Sequence, residues 1–233
     1  KGARNLAEGK SGPFVVDRRN LHKYLGIPKY LPELEQDFHE IGVATGLAWT
    51  QAGGETLYVE ASVMKGKGDL TLTGQLGEVM QESARAAVSY ARANARSLGI
   101  RATFYQDMDI HIHVPAGAIP KDGPSAGVTM ATALISALSK RPVSRDVAMT
   151  GEISLRGRLL PVGGVKDKAL AALRAKVKKV IIPKKNEKDL SEVPKHVRRK
   201  LSFVTAHHMT DVLAHALRPK PAGKKQASRR ATR

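Results

Sequence analysis

At the centre of the sequence stands Gly123-Pro124-Ser125-Ala126-Gly127-Val128-Thr129-Met130-Ala131-Thr132-Ala133-Leu134-Ile135-Ser136-Ala137-Leu138, a glycine- and proline-rich entry followed by mostly apolar residues. The run predicts an apolar helix over residues 125–138, entered from a loop at residues 115–124. Ser125 then lies in the first helical turn, where backbone N–H groups lack helical partners and the helix dipole is positive. A serine at this position can attack a carbonyl beside an oxyanion site, or it can serve only as the helix N-cap.

Strands and helices alternate around this helix. The sequence predicts strands at residues 43–49, 57–63, 70–73, 110–114, 147–149, 153–162, 180–182 and 201–204. It predicts further helices at residues 74–98, 166–174 and 211–217, the last with Thr210 as its cap. Turns are expected at Gly53-Gly54 and near Arg156-Gly157. The alternation indicates an α/β (α+β) domain at residues 41–217, between a connector at 1–40 and a basic, disordered tail at 218–233.

Composition narrows the class of protein. Of the 233 residues, 42% are hydrophobic but only 4% are aromatic, so the core is expected to consist mainly of Ala, Val, Leu and Ile. The chain has no cysteine, which excludes disulfides, thiolate metal sites and a cysteine nucleophile. No apolar run reaches the ~20 residues that span a bilayer, and the first residues are not a signal peptide. The sequence starts with Lys1 and not with an initiator Met, so we expect it to be a piece of a longer protein.

The net charge of +18 is concentrated in two segments. Residues 218–233 carry seven Lys or Arg and no acid, and residues 176–200 carry ten against three acids. Such segments are usually solvated or disordered, and DNA or an acidic partner is the alternative. The tail contains no aromatic residue on which single-stranded bases could stack.

A nucleophilic serine needs a base, and three arrangements fit the residues. Gly123-Pro124-Ser125-Ala126-Gly127 matches the G-x-S-x-G elbow of α/β-hydrolases, with His196, His207, His208 and His215 downstream, but a loop rather than a strand precedes it. Ser62-Val63-Met64-Lys65 matches S-x-x-K, but on a predicted strand and without the accompanying motifs.

The third arrangement is a Ser–Lys dyad. Lys166 and Lys168 both follow Gly163-Gly164, and Lys168 leads into the apolar run 169–173. A lysine is a base near neutral pH only when burial lowers its pKa. Spacing alone does not choose between the two lysines. Gly9-Lys10-Ser11 resembles the end of a P-loop but lacks its first glycine and a preceding strand, so we reject it as a nucleotide site.

Several blocks in one order resemble the Lon protease family. They are Thr45-Gly46-Leu47-Ala48-Trp49-Thr50, Leu76-Gly77-Glu78-Val79-Met80-Gln81-Glu82-Ser83, His111-Ile112-His113-Val114-Pro115, Pro120-Lys121-Asp122-Gly123-Pro124-Ser125-Ala126-Gly127, Met149-Thr150-Gly151-Glu152-Ile153-Ser154-Leu155-Arg156-Gly157 and Leu160-Pro161-Val162-Gly163-Gly164-Val165-Lys166-Asp167-Lys168. The similarity extends from about Val43 to Leu217. It implies the Lon protease domain fold, a ribosomal-protein-S5-domain-2-like architecture.

The resemblance also implies roles for individual residues. Ser125 corresponds to the nucleophile and Lys168 to its general base. Thr150 corresponds to the residue that helps to hold the base, and Asp122 to an acid that takes part in loop rearrangement. Backbone N–H groups near Ser125 and Ala126 are expected to bind the oxyanion. His111 and His113 correspond to family histidines that we take as structural, because alternation puts both on one face of a strand.

For the whole protein, the resemblance implies an ATP-dependent serine endopeptidase acting in protein quality control. Its expected partners are unfolded or degron-bearing protein substrates, five further copies in a homohexamer, and an ATPase module of the same polypeptide. That module would use ATP and Mg, whereas residues 1–233 are expected to need no cofactor and no metal. No membrane partner is expected. The implied location is the bacterial cytoplasm, with the mitochondrial matrix second.

Overall fold

The computed structural model describes residues 4, 7–9, 15–17, 19–26, 39–51, 53–115 and 121–220. The chain divides into two units, Lys1–Glu35 and Gln36–Arg233. In the first unit, Leu21–Leu25 forms the short helix α1. Residues 10 and 11 of the P-loop-like segment, residues 116–120 of the loop before Ser125 and the tail beyond Lys220 lie outside the described residues. None of the described helices is both long and apolar enough to cross a membrane.

A mixed sheet forms the centre of the second unit. Its strands are β1 (Val43–Thr50), β2 (Gly53–Lys65), β3 (Leu70–Thr73), β4 (Met108–His113), β5 (Val147–Met149), β8 (Lys179–Pro183) and β9 (Ser202–Ala206), in the order β3-β4-β2-β1-β5-β8-β9. Strand β2 pairs antiparallel with β1 and β4, and the other four neighbouring pairs are parallel. Strands β6 (Glu152–Ile153) and β7 (Leu159–Leu160) form a separate hairpin. The α/β class expected from the sequence is confirmed.

Helices cover the two faces of this sheet unequally. One face packs against α2 (Glu78–Ala93), α4 (Gly127–Ser139) and α7 (Met209–Ala216) in the larger apolar cluster. On the other face, α5 (Val165–Arg174) and α6 (Lys195–Arg198) form a smaller cluster with β1, β5 and β8. Adjacent residues of a strand point to opposite faces. Accordingly, Met149 and Ile181 belong to the larger cluster, and Ala148 and Val180 to the smaller one.

Helix α4 is the most deeply buried element. Twelve of its thirteen residues are buried, as expected for a helix that is apolar all round. Small residues let it approach the sheet closely. An added Cβ at Gly46 would lie 2.8 Å from the Thr129 hydroxyl, closer than a real Cβ atom approaches such a group. The predicted apolar helix is therefore present, and it fixes the position of whatever enters its first turn.

The predicted helix at residues 74–98 is too long at both ends. Helix α2 runs from Glu78 to Ala93, because Gly74 and Gln75 adopt positive φ angles of 107° and 54°, which a helix cannot contain. After Ala93 the chain continues in turns to Gly99. Apolar side chains of these flanking turns also face the core, so the apolar period continues beyond the helix.

Two smaller expectations are also wrong. Gly53 and Gly54 do not form the hairpin turn but open strand β2, paired with Thr50 and Trp49. His208, not Thr210, is the N-cap of α7, and Asp211 completes a capping box. Three further elements were not predicted from the sequence, because they are short or polar and show no clear hydrophobic periodicity. They are α3 (Phe104–Asp107), α6 and the 3-10 segment Lys184–Glu192.

The folded part reaches slightly beyond residues 41–217. Glu40 forms a bridge to Val143, and Val143 forms one to Leu217. The Arg218 N–H donates to the carbonyl of Pro142 at 2.9 Å. The division into connector, domain and tail otherwise stays a prediction.

Gly54 provides a test of how closely β2 approaches α5. A Cβ at this position would lie 2.0 Å from the Asp167 carbonyl oxygen, a backbone atom that cannot move without the helix. We expect Gly54→Ala to lower the free energy of unfolding by about 1–3 kcal/mol, measured by urea denaturation. Gly163→Ala is the control, because nothing lies within 4 Å of its added Cβ. Equal stability of the two variants would contradict the close approach.

Candidate active site

Ser125 lies in a 3-10 turn, Pro124–Ala126, that leads directly into α4. Pro124 occupies the first position of the turn, where its missing N–H costs nothing. Gly123 precedes it with a φ of 125°, a conformation that favours glycine. Ser125 is half-buried and Ala126 is buried. The loop therefore places Ser125 at the amino end of the most deeply buried of the described helices.

Lys168 carries the buried amine of this site. It lies on α5, one turn after Gly164, and is only 3% exposed. Burial lowers its pKa from 10.5 to about 8, because removal from water disfavours the charged ammonium group. A substantial fraction of this amine is therefore neutral at slightly alkaline pH.

Thr150 connects the lysine to the serine. It follows β5, is fully buried, and its hydroxyl donates to the Ser125 carbonyl oxygen at 3.4 Å. The Lys168 Nζ atom donates to the Thr150 Oγ1 atom at 3.0 Å. The Thr150 hydroxyl has only one proton and donates it to the Ser125 carbonyl, so towards Lys168 it can only accept, and the amine donates an N–H to it. In the neutral amine, the nitrogen lone pair then remains available to accept another proton.

The structure distinguishes the two candidate lysines. Lys166 is exposed on the same helix, whereas Lys168 points into the protein. Two glycines next to the start of α5 make the burial of Lys168 possible. Gly164, at φ 71°, forms the N-cap beneath the Trp49 ring, and Gly54 packs against the backbone at Asp167. Burial therefore favours Lys168 over Lys166 as the candidate base, a choice that spacing alone left open.

Asp122 holds the loop before the serine against helix α2. Its carboxylate accepts the Met80 N–H at 3.1 Å and the Gly123 N–H at 2.8 Å. Since Gly77, the N-cap of α2, has no side chain, Asp122 supplies the missing capping oxygen from a distant segment. The space above Gly77 is filled by this carboxylate, because an added Cβ would lie 2.4 Å from its Cγ atom. Asp122 therefore touches the start of α2.

The histidines have other partners. His208 caps α7 through Nδ1, and its Nε2 atom contacts the Arg156 carbonyl at 2.7 Å. His215 lines a cavity at the amino ends of β5, β8 and β9, at the sheet edge away from Thr150. His111 and His113 share one face of β4, as predicted, and both contact the Thr73 hydroxyl, at 2.8 and 2.7 Å.

The remaining alternative pair, Ser62 and Lys65, is exposed on strand β2, and because the two residues are three apart their side chains point to opposite faces of the sheet. The S-x-x-K motif therefore stands on a strand, as expected. No three His, Asp or Glu side chains converge as metal ligands anywhere in the described ranges.

Sequence reasoning missed two residues that shape the site. The Gly151 N–H donates to the Ser125 carbonyl at 2.9 Å, beside the bond from Thr150. Asn186 binds the loop before α5 at both polar groups of Val162. Gly151 has a φ of 158°, and an added Cβ there would lie 2.9 Å from the Val128 Cγ2 atom, but no role for this glycine was predicted from the sequence. Asn186 lay within a charged segment and carried no motif.

Comparison with known proteins identifies the family to which this chain is similar. Residues 15–219 match the family described as the Lon protease (S16) C-terminal proteolytic domain, a match that begins well before the quoted motifs. The chain is 60% identical over 227 residues to a Lon protease of Desulfatibacillum aliphaticivorans, covering 97% of this chain and 27% of the relative.

Two further Lon proteases show similar values. The one from Geobacter metallireducens is 57% identical over 221 residues, which is 95% of this chain and 27% of the relative. The one from Brevibacillus choshinensis is 54% identical over 226 residues, or 97% of this chain and 29% of the relative. The chain therefore spans between a quarter and a third of the length of these relatives.

Burial of Lys168 predicts a pH-dependent stability cost. The unfolded lysine keeps its proton up to its ordinary pKa of 10.5, whereas the folded one releases it near 8. Stability therefore rises with pH between these values and is lowest below pH 8. We expect Lys168→Met to be more stable than wild type near neutral pH, by up to about 3 kcal/mol. This gain should vanish above about pH 10.

The measurement is urea unfolding over a pH series. Lys166→Met serves as the control, because removing an exposed ammonium group should leave stability within about 0.5 kcal/mol at every pH. A constant difference between wild type and Lys168→Met across the series would show that Lys168 is not desolvated.

Proposed function

The chain belongs to the Lon protease family, and we propose that it is a serine endopeptidase module in which Ser125 and Lys168 form the catalytic dyad. The observation that carries the proposal is the buried Lys168 amine, hydrogen-bonded to a threonine that itself binds the Ser125 backbone. An amine with a pKa of about 8 is a suitable base for a serine hydroxyl.

The reaction is acyl transfer. Neutral Lys168 accepts the proton of the Ser125 hydroxyl as its oxygen attacks the peptide carbonyl carbon. The backbone N–H groups of Ser125 and Ala126, at the amino end of α4, stabilise the oxyanion. Lys168 then gives its proton to the leaving amine, which frees one peptide and leaves an acyl-enzyme. Water attacks the ester by the same route and restores both residues.

Thr150 and Asp122 take supporting roles in this proposal. Thr150 keeps the Lys168 amine oriented by accepting one of its N–H groups. Asp122 fixes the loop that carries Ser125 through the start of α2 and transfers no proton. His111 and His113 remain structural, since both bind Thr73 on a neighbouring strand.

The activity of the whole protein is inferred from its relatives. Because the chain spans about 27% of the Desulfatibacillum Lon protease, we propose that an ATPase module, using ATP and Mg, accompanies it in one polypeptide. Assembly as a homohexamer, degradation of unfolded or degron-bearing proteins for quality control, and a bacterial cytoplasmic location complete the proposal.

Covalent labelling tests the dyad. Wild type and Lys166→Ala should gain one fluorophosphonate adduct on Ser125, and Ser125→Ala should gain none. Lys168→Ala should react more slowly by about 10²–10⁴-fold, because the base is lost. The rate in wild type should rise with pH through a midpoint near 8, where Lys168 becomes neutral. Intact mass and peptide mapping give both the rate and the site.

Two outcomes would contradict this assignment. Labelling of Lys168→Ala at the wild-type rate would show that another group is the base, and the histidines would be tested next. An adduct on a residue other than Ser125 would place the nucleophile elsewhere.

A second candidate function, binding of a polyanion such as DNA, comes from the sheet edge away from the dyad. Strands β5, β8 and β9 are parallel and begin at this edge, where four segments meet: 140–147, 176–179, 198–202 and 217–220. Together they contain eleven Lys or Arg and one acid, Asp146. A cavity of about 390 Å³ between them is lined by Lys178, Lys179 and Arg218. Phosphate groups are the ligands that such a surface attracts.

Charge reversal tests this surface. We expect Arg199→Glu/Lys200→Glu to weaken binding of a duplex oligonucleotide and to lower the slope of log K against log salt by about two. Lys185→Glu/Lys188→Glu makes the same change in net charge on exposed residues beyond the other end of β8. Equal effects of the two double variants in a fluorescence anisotropy titration would mean that net charge alone, not this edge, governs binding.

A further inference from the structure

Asn186 is buried in a segment that otherwise faces solvent. It lies in the 3-10 segment Lys184–Glu192, after β8, and is the buried residue of that segment, with 3% of its surface exposed. A buried amide costs free energy unless its polar atoms are hydrogen-bonded. The partners of Asn186 therefore show what its burial achieves.

All of the amide's polar atoms bind one loop and one carboxylate. The Oδ1 atom accepts the Val162 N–H at 3.0 Å, and Nδ2 donates to the Val162 carbonyl at 2.7 Å. The second Nδ2 proton goes to the Asp189 carboxylate at 2.6 Å. Because a carboxylate only accepts, Asp189 fixes which end of the amide faces which partner. Asn186 thus holds Val162 as a neighbouring strand would.

Val162 lies on the loop that leads to the candidate base. This loop joins β7 to α5, and Gly164, two residues later, is the helix N-cap at φ 71°. The Gly164 carbonyl accepts the Lys168 N–H at 3.0 Å, in the first turn of α5. A displacement of the loop therefore shifts the start of the helix, and the lysine side chain with it.

We propose that Asn186 is a positioning residue, which fixes the start of helix α5 and thereby holds the Lys168 amine against Thr150. Residues 151–167 connect Thr150, just after β5, to Lys168 in helix α5, and the two side chains meet at 3.0 Å. Asn186 binds this connection near its end, at Val162. Misplacement of a reacting group by about 1 Å costs on the order of 10²-fold in rate, so a second anchor has a functional effect. The inference rests on the proposed role of Lys168 as base.

The test compares Asn186→Ala with a matched variant, Asn94→Ala, in the 233-residue chain. Asn94 also donates from its amide to a backbone carbonyl, that of Tyr90 at 2.9 Å, at the end of α2. Two readouts are needed: the pH profile of Ser125 acylation by a fluorophosphonate, and the titration of Lys168 followed by NMR of isotope-labelled lysine. The second readout does not depend on activity.

We expect Asn186→Ala to slow acylation by about 10–100-fold. We also expect its Lys168 titration to move upward, because a loosened helix start admits water to the amine. Asn94→Ala should match wild type in both. If Asn186→Ala titrates and reacts like Asn94→Ala, the positioning role is wrong. If Lys168 titrates higher in Asn186→Ala while wild type gains no adduct at Ser125, the positioning stands and the proposed dyad fails.

Asp189→Asn carries the same test should Asn186→Ala fail to fold. It keeps the volume at the site and removes the charge that orients the Asn186 amide. We expect acylation to slow several-fold, with the Lys168 titration moving in the same direction. A wild-type profile in both readouts would overturn the proposal.

Discussion

Exclusion of water from the Lys168 amine is the constraint on which the rest of the site depends. An ammonium group in an apolar interior is unfavourable, and the protein reduces this cost by releasing the proton at a lower pH. Strand β2 has to approach α5 without a side chain at Gly54, and Trp49 has to cover Gly164. Thr150 has to be buried beside the amine to offer it a hydrogen bond. Together, these contacts bury the Lys168 amine and keep water away from it.

The topology brings the groups of the site together from distant parts of the chain. Parallel strands β1, β5 and β8 end at one edge of the sheet, so Trp49, Thr150 and the segment after Pro183 lie near one another. Helix α4 begins at this edge with the serine, and α5 begins there with the lysine. The opposite edge, where the same strands start, collects the positive charge. One sheet thus separates the candidate catalytic edge from the candidate polyanion surface.

Much of this architecture could be predicted from the sequence, because its signals are local. The apolar run of α4, the alternating strands and the glycine pair before α5 all appear in the order of residues. Spacing alone did not separate the exposed Lys166 from the buried Lys168, since both follow the same glycines and differ in the contacts that α5 makes with β1 and β2; only the family resemblance pointed to Lys168. Asn186 escaped for a related reason: its partner Val162 is 24 residues away, and no periodicity links the two. Gly54 was taken as part of a turn because its close neighbour, Asp167, is likewise distant in sequence.

Helix α4 leaves the nucleophile very little freedom of its own. Its side chains lie against Gly42 and Gly46 on one side and against α2 on the other, and a closely packed interior resists deformation. The residues just before it, held by the Asp122 carboxylate at the start of α2, are attached through a few hydrogen bonds on the surface. Among the described residues before Ser125, residues 121–124 are therefore held by hydrogen bonds to the start of α2 rather than by close packing. A displacement of the start of α2 would be passed to Ser125 through these residues, against the buried frame of α4.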